Sequence, residues 1–183
     1  MRKRTHRQRG TTLVEVAIAS ALMGMVVLLL VSVQIQVLRD FQRALHENTA
    51  SRTTYNALRA VREQAQGAAL ALVFGGGTEV RLFPPRRDSA GNILTPVQPD
   101  TANPIIVQVN YSAGTLMLTQ NGATTTLLTG VRSTRPQGGS YVPFSVQQYA
   151  PGVQALQVRL SVQQGESHIW YEEMILLRNA IQN

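Results

Sequence analysis

From Leu13 to Val33 the chain runs for 21 residues with a single charge, Glu15. A helix of that length spans about 31 Å, close to the roughly 30 Å of a bilayer's hydrocarbon core. The run therefore commits the N-terminus to a membrane or to an equally apolar surrounding. The segment before it, Met1 to Gly10, holds Arg2, Lys3, Arg4, Arg7 and Arg9 and no acidic residue. Basic residues next to a span stay on the cytoplasmic side, so the chain after Val33 is expected to be exported. Glu15 is the anomaly. A carboxylate near the end of such a span costs on the order of 1–3 kcal/mol unless it finds a partner.

The net charge of +7 supports the same topology and little else. Five of the 17 basic residues lie in the leader, and beyond it 12 arginines face 10 acids. The basic character is a topology signal more than a nucleic-acid footprint. Cysteine is absent, which excludes disulfides, thiolate metal sites and thiol catalysis. The histidines are His6, His46 and His168, and none has a companion at metal-ligand spacing. Glu166, Glu172 and Glu173 near His168 read as a solvated hairpin tip. No G-x-S-x-G or other nucleophile signature occurs. The expectation is a protein without catalytic residues, metal or cofactor.

Three readings fit the N-terminus. A cleaved signal peptide has an apolar region of 7–15 residues and a small-residue cleavage site; this run is longer and no clear site follows. An ordinary signal anchor explains leader and length but leaves Glu15 without a purpose. The third reading rests on Arg9-Gly10-Thr11-Thr12-Leu13-Val14-Glu15 together with Gly24. This stretch resembles the N-terminal segment of type IV pilins and type II secretion pseudopilins. The resemblance implies that a prepilin peptidase cuts between Gly10 and Thr11, and that Thr11 is then N-methylated. It also implies that Glu15 neutralises the α-ammonium of a neighbour's Thr11 in a filament, fixing the register of assembly.

Thr11 stands where the family usually carries Phe or Met. Ser32 stands where a proline is common, which points to a straighter helix and a minor pilin or pseudopilin. The closing run, Val158-Arg159-Leu160 and Glu173 to Asn179, resembles the end of J-type minor pseudopilins and related minor pilins. The implied partners are the prepilin peptidase, other pilin or pseudopilin subunits, an inner-membrane assembly platform and the lipid bilayer. The implied location is the inner membrane, single-pass, with the N-terminus cytoplasmic and the C-terminal domain periplasmic, and then the pilus or pseudopilus. An alternative is a DNA-capturing minor pilin of a competence pilus, with Arg81, Arg86, Arg87, Arg132 and Arg135 as candidate contacts. The near-neutral mature charge argues against it. A signal-anchored extracytoplasmic enzyme is the remote alternative.

Past the apolar run, Gln34 to Gln66 keeps a helical pattern. Leu38, Phe41 and Leu45 recur at three and four, as do Tyr55, Leu58, Val61 and Ala65. This predicts one helix of about 55 residues ending near Gly67, with a weak point around Asn48 to Thr54. Arg52, Arg59 and Arg62 share a helix face and read as solvated. Gly75-Gly76-Gly77 precede a strand pattern, Glu79 to Phe83, and so read as a turn. Pro84 to Pro104, with five prolines, reads as a long exposed loop with room to move. Strands are expected at Ile105 to Tyr111, Thr115 to Gln120, Ala123 to Leu128 and Tyr141 to Gln148. Asn121-Gly122 is a hairpin signal. Gln154 to Gln163 and Ser167 to Arg178 form the clearest hairpin and the expected centre of the sheet. The fold class is α+β: a long N-terminal helix packed by its second half on a C-terminal antiparallel β-sheet. The expected divisions are 1–10 (leader), 11–33 (membrane or filament-core helix), 34–67 (amphipathic continuation) and 68–183 (β-rich domain with the loop 84–104).

Overall fold

A computed structural model of the chain describes residues 12–150, 153–165 and 167–178. The leader, Gly10, Thr11, His6, Glu166 and Asn179 lie outside the described residues. Two compact units are present, one up to Ala44 and one from Leu45 onward.

Helix α1 runs from Leu13 to Gly67, 55 residues, without interruption. The expected weak point carries no break. There Thr49 Oγ1 donates to the Leu45 carbonyl (2.8 Å) and Thr54 Oγ1 to the Ala50 carbonyl (2.8 Å), so hydroxyls that compete with the backbone are turned back along the helix. Up to Thr49 every described helical residue is exposed. From Ala50 a buried stripe begins: Ala50, Thr54, Ala57, Leu58, Val61 and Ala65. These recur at three and four, the helical period of one face.

This stripe differs from the expected one. Leu58, Val61 and Ala65 are in it, but Tyr55 is 56% exposed, and Leu38, Phe41 and Leu45 are not covered by this chain. Small residues take the place of large ones at its start: Ala50, Thr54 and Ala57 are all buried.

The β domain contains two antiparallel sheets where the sequence suggested one. The first is a meander of β1 (Leu70–Phe74), β2 (Glu79–Phe83), β3 (Ile105–Asn110), β4 (Thr115–Gln120) and β5 (Ala123–Thr129), in that order. The second is built on β8 (Val153–Gln164). Along one edge β8 pairs β7 (Phe144–Ala150) and the two-residue β6 (Val131–Arg132), and along the other it pairs β9 (Ser167–Leu176). The centre is thus β8 alone, with β9 outermost.

Alternation sets the faces. Leu156, Val158, Leu160 and Val162 are all fully buried. Leu156 stands opposite Ile175, Leu160 opposite Tyr171 and Val162 opposite Ile169. Ile175 is therefore buried while Met174 and Leu176, on the other face, are about half exposed. One core joins Leu58 and Val61 of α1 to Val80, Leu82, Val107, Leu116, Phe144, Leu156 and Leu160.

The turn at Gly75–Gly77 is a short 3₁₀ turn with positive φ at all three glycines. Gly77 is buried, and a Cβ there would stand 3.0 Å from the Phe144 carbonyl oxygen and closer still to Val142. The loop after β2, 84–104, is largely exposed as expected, and hydrogen bonds tie it into an arm. Pro85 bridges to Pro99 and Arg87 to Ile93. Asp88 Oδ1 accepts from the amides of Ala90 and Asn92, both at 2.9 Å.

Candidate functional site

The N-terminal half of α1 carries the residues that the sequence singled out. At its first turn the Thr12 amide donates to Glu15 Oε2 at 2.9 Å, and the Glu15 amide donates to Thr12 Oγ1 at 3.3 Å. This is a capping box, two orphan amides of a helix start satisfied reciprocally by the residues at N-cap and N3. It gives the Glu15 carboxylate a donor within its own chain and places it at the positive end of the helix dipole. The Thr12-x-x-Glu15 pattern ahead of an apolar run was the available signal for this cap. The roles expected for Glu15, a membrane acid in need of a partner and a contact to a neighbour's α-ammonium, did not include this cap.

Behind that cap, Leu22, Met25, Leu28, Leu29 and Leu30 are each more than half exposed. A Cβ at Gly24 would meet nothing within 4 Å. The helix is long and apolar enough to cross a membrane. Glu15 and Gly24 thus lie on one uncovered apolar helix, while the proposed cleavage pair Gly10 and Thr11 is outside the described residues.

The other candidate groups are taken in turn. Among the described residues no three His, Cys, Asp or Glu side chains come together to hold a metal. His168 is not at a solvated tip: it is half-buried, with Nε2 at 2.6 Å from Ser161 Oγ. Ser161 is fully buried and its Oγ lies 2.6 Å from the Thr134 carbonyl. A carbonyl only accepts, so the hydroxyl proton points to Thr134 and the imidazole donates through Nε2–H. In this arrangement the histidine cannot act as base toward the serine. Tyr141 completes the knot: its hydroxyl donates to the Arg132 carbonyl (2.6 Å) and accepts from the Ser161 amide (3.0 Å). Burial raises the Tyr141 phenol above its ordinary value, against the pull of the Ser161 amide. Burial, reinforced by neighbouring Tyr141, also raises Tyr111.

Several of the arginines are engaged within the chain. Arg62, expected on a solvated face, donates from Nε to Glu173 Oε1 at 2.6 Å and so ties α1 to β9. Arg59 pairs with Glu63 at 2.9 Å along the helix, and Arg52 is exposed. Of the candidate DNA contacts, Arg81 pairs with Glu79 at 2.7 Å and lies over Phe74. Arg87 donates to the Gly91 carbonyl, Arg132 to Gln163, and Arg135 lies 5.0 Å over Trp170. Arg81 and Arg132 belong to different sheets.

In comparisons with models of protein families, with curated proteins and with solved structures, nothing matches this chain. The class that the structure defines is an α+β protein with a long N-terminal helix, apolar enough in its first half to cross a membrane and packed by its second half on antiparallel sheets.

Proposed function

We propose that the chain is a minor pilin or pseudopilin: a structural and assembly subunit, not an enzyme, of a type IV pilus or type II secretion pseudopilus. The observation that carries this reading is the uncovered apolar half of α1 with a capped acid in its first turn. Before assembly such a surface belongs in a bilayer. After assembly it belongs among the same helices of neighbouring subunits. Glu15 then exchanges its Thr12 amide for the α-ammonium of a neighbour. In a low-dielectric bundle such a pair is strong, and removing one partner costs about 3–5 kcal/mol. The leader Arg9-Gly10 followed by Thr11 supplies the peptidase with a side-chain-free residue at the scissile bond. The peptidase, the other subunits, the inner-membrane platform and the bilayer are the partners of this reading, with the β domain in the periplasm.

The test is the N-terminal residue and intact mass of the protein from its own membranes. Loss of Met1 to Gly10 and a methylated Thr11 is the expected result. A retained leader would leave an ordinary signal anchor and remove the role given to Glu15.

A further inference from the structure

The second sheet carries a small cavity on the face turned away from α1. Tyr171 and Glu173 of β9 tie to α1, so Trp170, by strand alternation, faces the other way. It stands opposite Ser161 of β8. Tyr141 meets it edge to face, with ring centroids 5.0 Å apart. The Tyr141 hydroxyl is itself fixed by the Arg132 carbonyl and the Ser161 amide. A tight turn, 134–140, reaches the same indole. Thr134 bridges to Ser140, the Arg135 amide donates to the Gly139 carbonyl and the Gly138 amide to the Arg135 carbonyl, both at 3.0 Å. The Arg135 guanidinium lies 5.0 Å over the Trp170 ring, a cation–π contact. Arg135, Pro136, Gln137 and Trp170 line a cavity of about 100 Å³.

We infer that this cavity binds a carboxylate group, with the Arg135 guanidinium as its ion-pair partner and the Gln137 side-chain amide as a second donor. Charge is the first reason. Arg135 is the one charged residue in the lining, and among the described residues no carboxylate pairs with it. Glu172, two residues along β9 from Trp170, is already bound by Arg159 (3.0 Å) and Gln157 (2.6 Å). Shape is the second. A guanidinium is a planar fork that matches the two oxygens of a carboxylate, and Trp170 and Pro136 offer flat apolar walls to a planar group. A water takes up about 30 Å³ in the liquid, so the cavity has room for a carboxylate and a short stem. A phosphate dianion would meet a single positive charge here, since Arg132 donates to Gln163 and Arg159 is paired with Glu172. An ordinary surface ion pair spends much of its gain on ordering two side chains. The stack on Trp170 has already ordered this arginine. The inference stands whether or not the leader is cleaved.

Trp170 is the single tryptophan, so its emission reports on this cavity alone. The full chain in non-ionic detergent micelles is titrated at neutral pH and constant ionic strength. N-acetylglycine presents its carboxylate as a chain end does, and N-acetylglutamate α-amide presents it as an acidic side chain does. N-acetylglutamine amide is the neutral control, and inorganic phosphate is the competing anion. The expected result is a saturable change in emission with at least one carboxylate and none with the neutral amide. The tighter of the two identifies the carrier as a chain end or an acidic side chain. Arg135→Gln should raise the half-saturating concentration at least about fivefold, and Arg135→Lys, which keeps the charge but loses the fork, at least about threefold. Arg86→Gln, on the exposed arm, should leave it unchanged. Far-UV circular dichroism checks that each variant folds. No saturable response to either carboxylate, an equal response to the neutral amide, or a half-saturation unmoved by Arg135→Gln overturns the inference. So does phosphate saturating at a lower concentration than both carboxylates.

Discussion

Gly130 lets the chain step from β5 of the first sheet to β6 of the second. Its φ is +82°, and a Cβ there would lie 2.3 Å from the Gln163 carbonyl oxygen. The Gln163 amide donates back to the Gly130 carbonyl at 2.8 Å, so the two backbones cannot part without losing that bond. Gly91 has a similar φ, +86°, with nothing within 4 Å. Gly91→Ala should therefore cost only the backbone strain, about 1 kcal/mol, while Gly130→Ala adds a clash and should cost at least about 3 kcal/mol. Urea unfolding followed through Trp170, the single tryptophan, measures both. Equal costs would mean that the approach at Gly130 does not constrain the fold. Residues of this kind are where sequence reading stops. A glycine's letter records neither its φ nor its neighbour 33 positions away in sequence. Thr12 and Glu15 are the opposite case, since their spacing alone spells a capping box. His168 fails for the first reason, because its partner Ser161 is set by strand register and not by a motif.

At the scale of elements, local turn chemistry was the most readable signal. Asn121 and Gly122 have φ of 52° and 77°, as a two-residue hairpin turn of this kind requires, and β4 and β5 fall on either side. The alternation in β8 gave its buried face correctly. A period of two says which way a side chain points, but not which sheet the strand joins. Hence two sheets were read as one. The arm after β2 is the largely exposed loop that its prolines predict, and the bonds that tie it down come from aspartates, which no apolar pattern signals. Asp88 is held below the ordinary carboxylate value first by the Asn92 amide, and Asp100 first by the Asn103 side-chain amide and then by the Ala102 amide. A carboxyl lowered in the folded state contributes stability above its ordinary value of 3.8 and loses it as pH falls through the lowered value. The arm should thus stay closed from neutral pH down to that point and loosen only below it. NMR titration of the Ala90, Asn92 and Ala102 amides should give midpoints below 3.8. Midpoints at or above that value would show that these turns do not hold the arm.

The molecule divides its apolar residues between two purposes. The buried residues of α1 begin at Ala50. Before them, Leu13, Val14, Val16, Ile18, Leu22, Met23 and the rest through Leu45 are exposed, none contributing to the core of the β domain. The compact unit from Leu45 onward contains every core residue together with the ties that fix α1 to β8 and β9: Thr53 to Gln164, Ser51 to Tyr171 and Arg62 to Glu173. A fragment starting at Leu45 therefore keeps the whole core and sheds the surface that water cannot accept. It should be soluble without detergent, unfold in one cooperative step, and show the same urea midpoint through Trp170 as the full chain in micelles. The full chain should require detergent or lipid. If the fragment is unfolded or aggregated, the N-terminal half of α1 must stabilise the β domain, and the division between an apolar anchor and a self-sufficient domain is wrong. If both are soluble without detergent, the exposed apolar residues have found cover elsewhere, in self-association through the helix, and sedimentation in water would show that assembly directly.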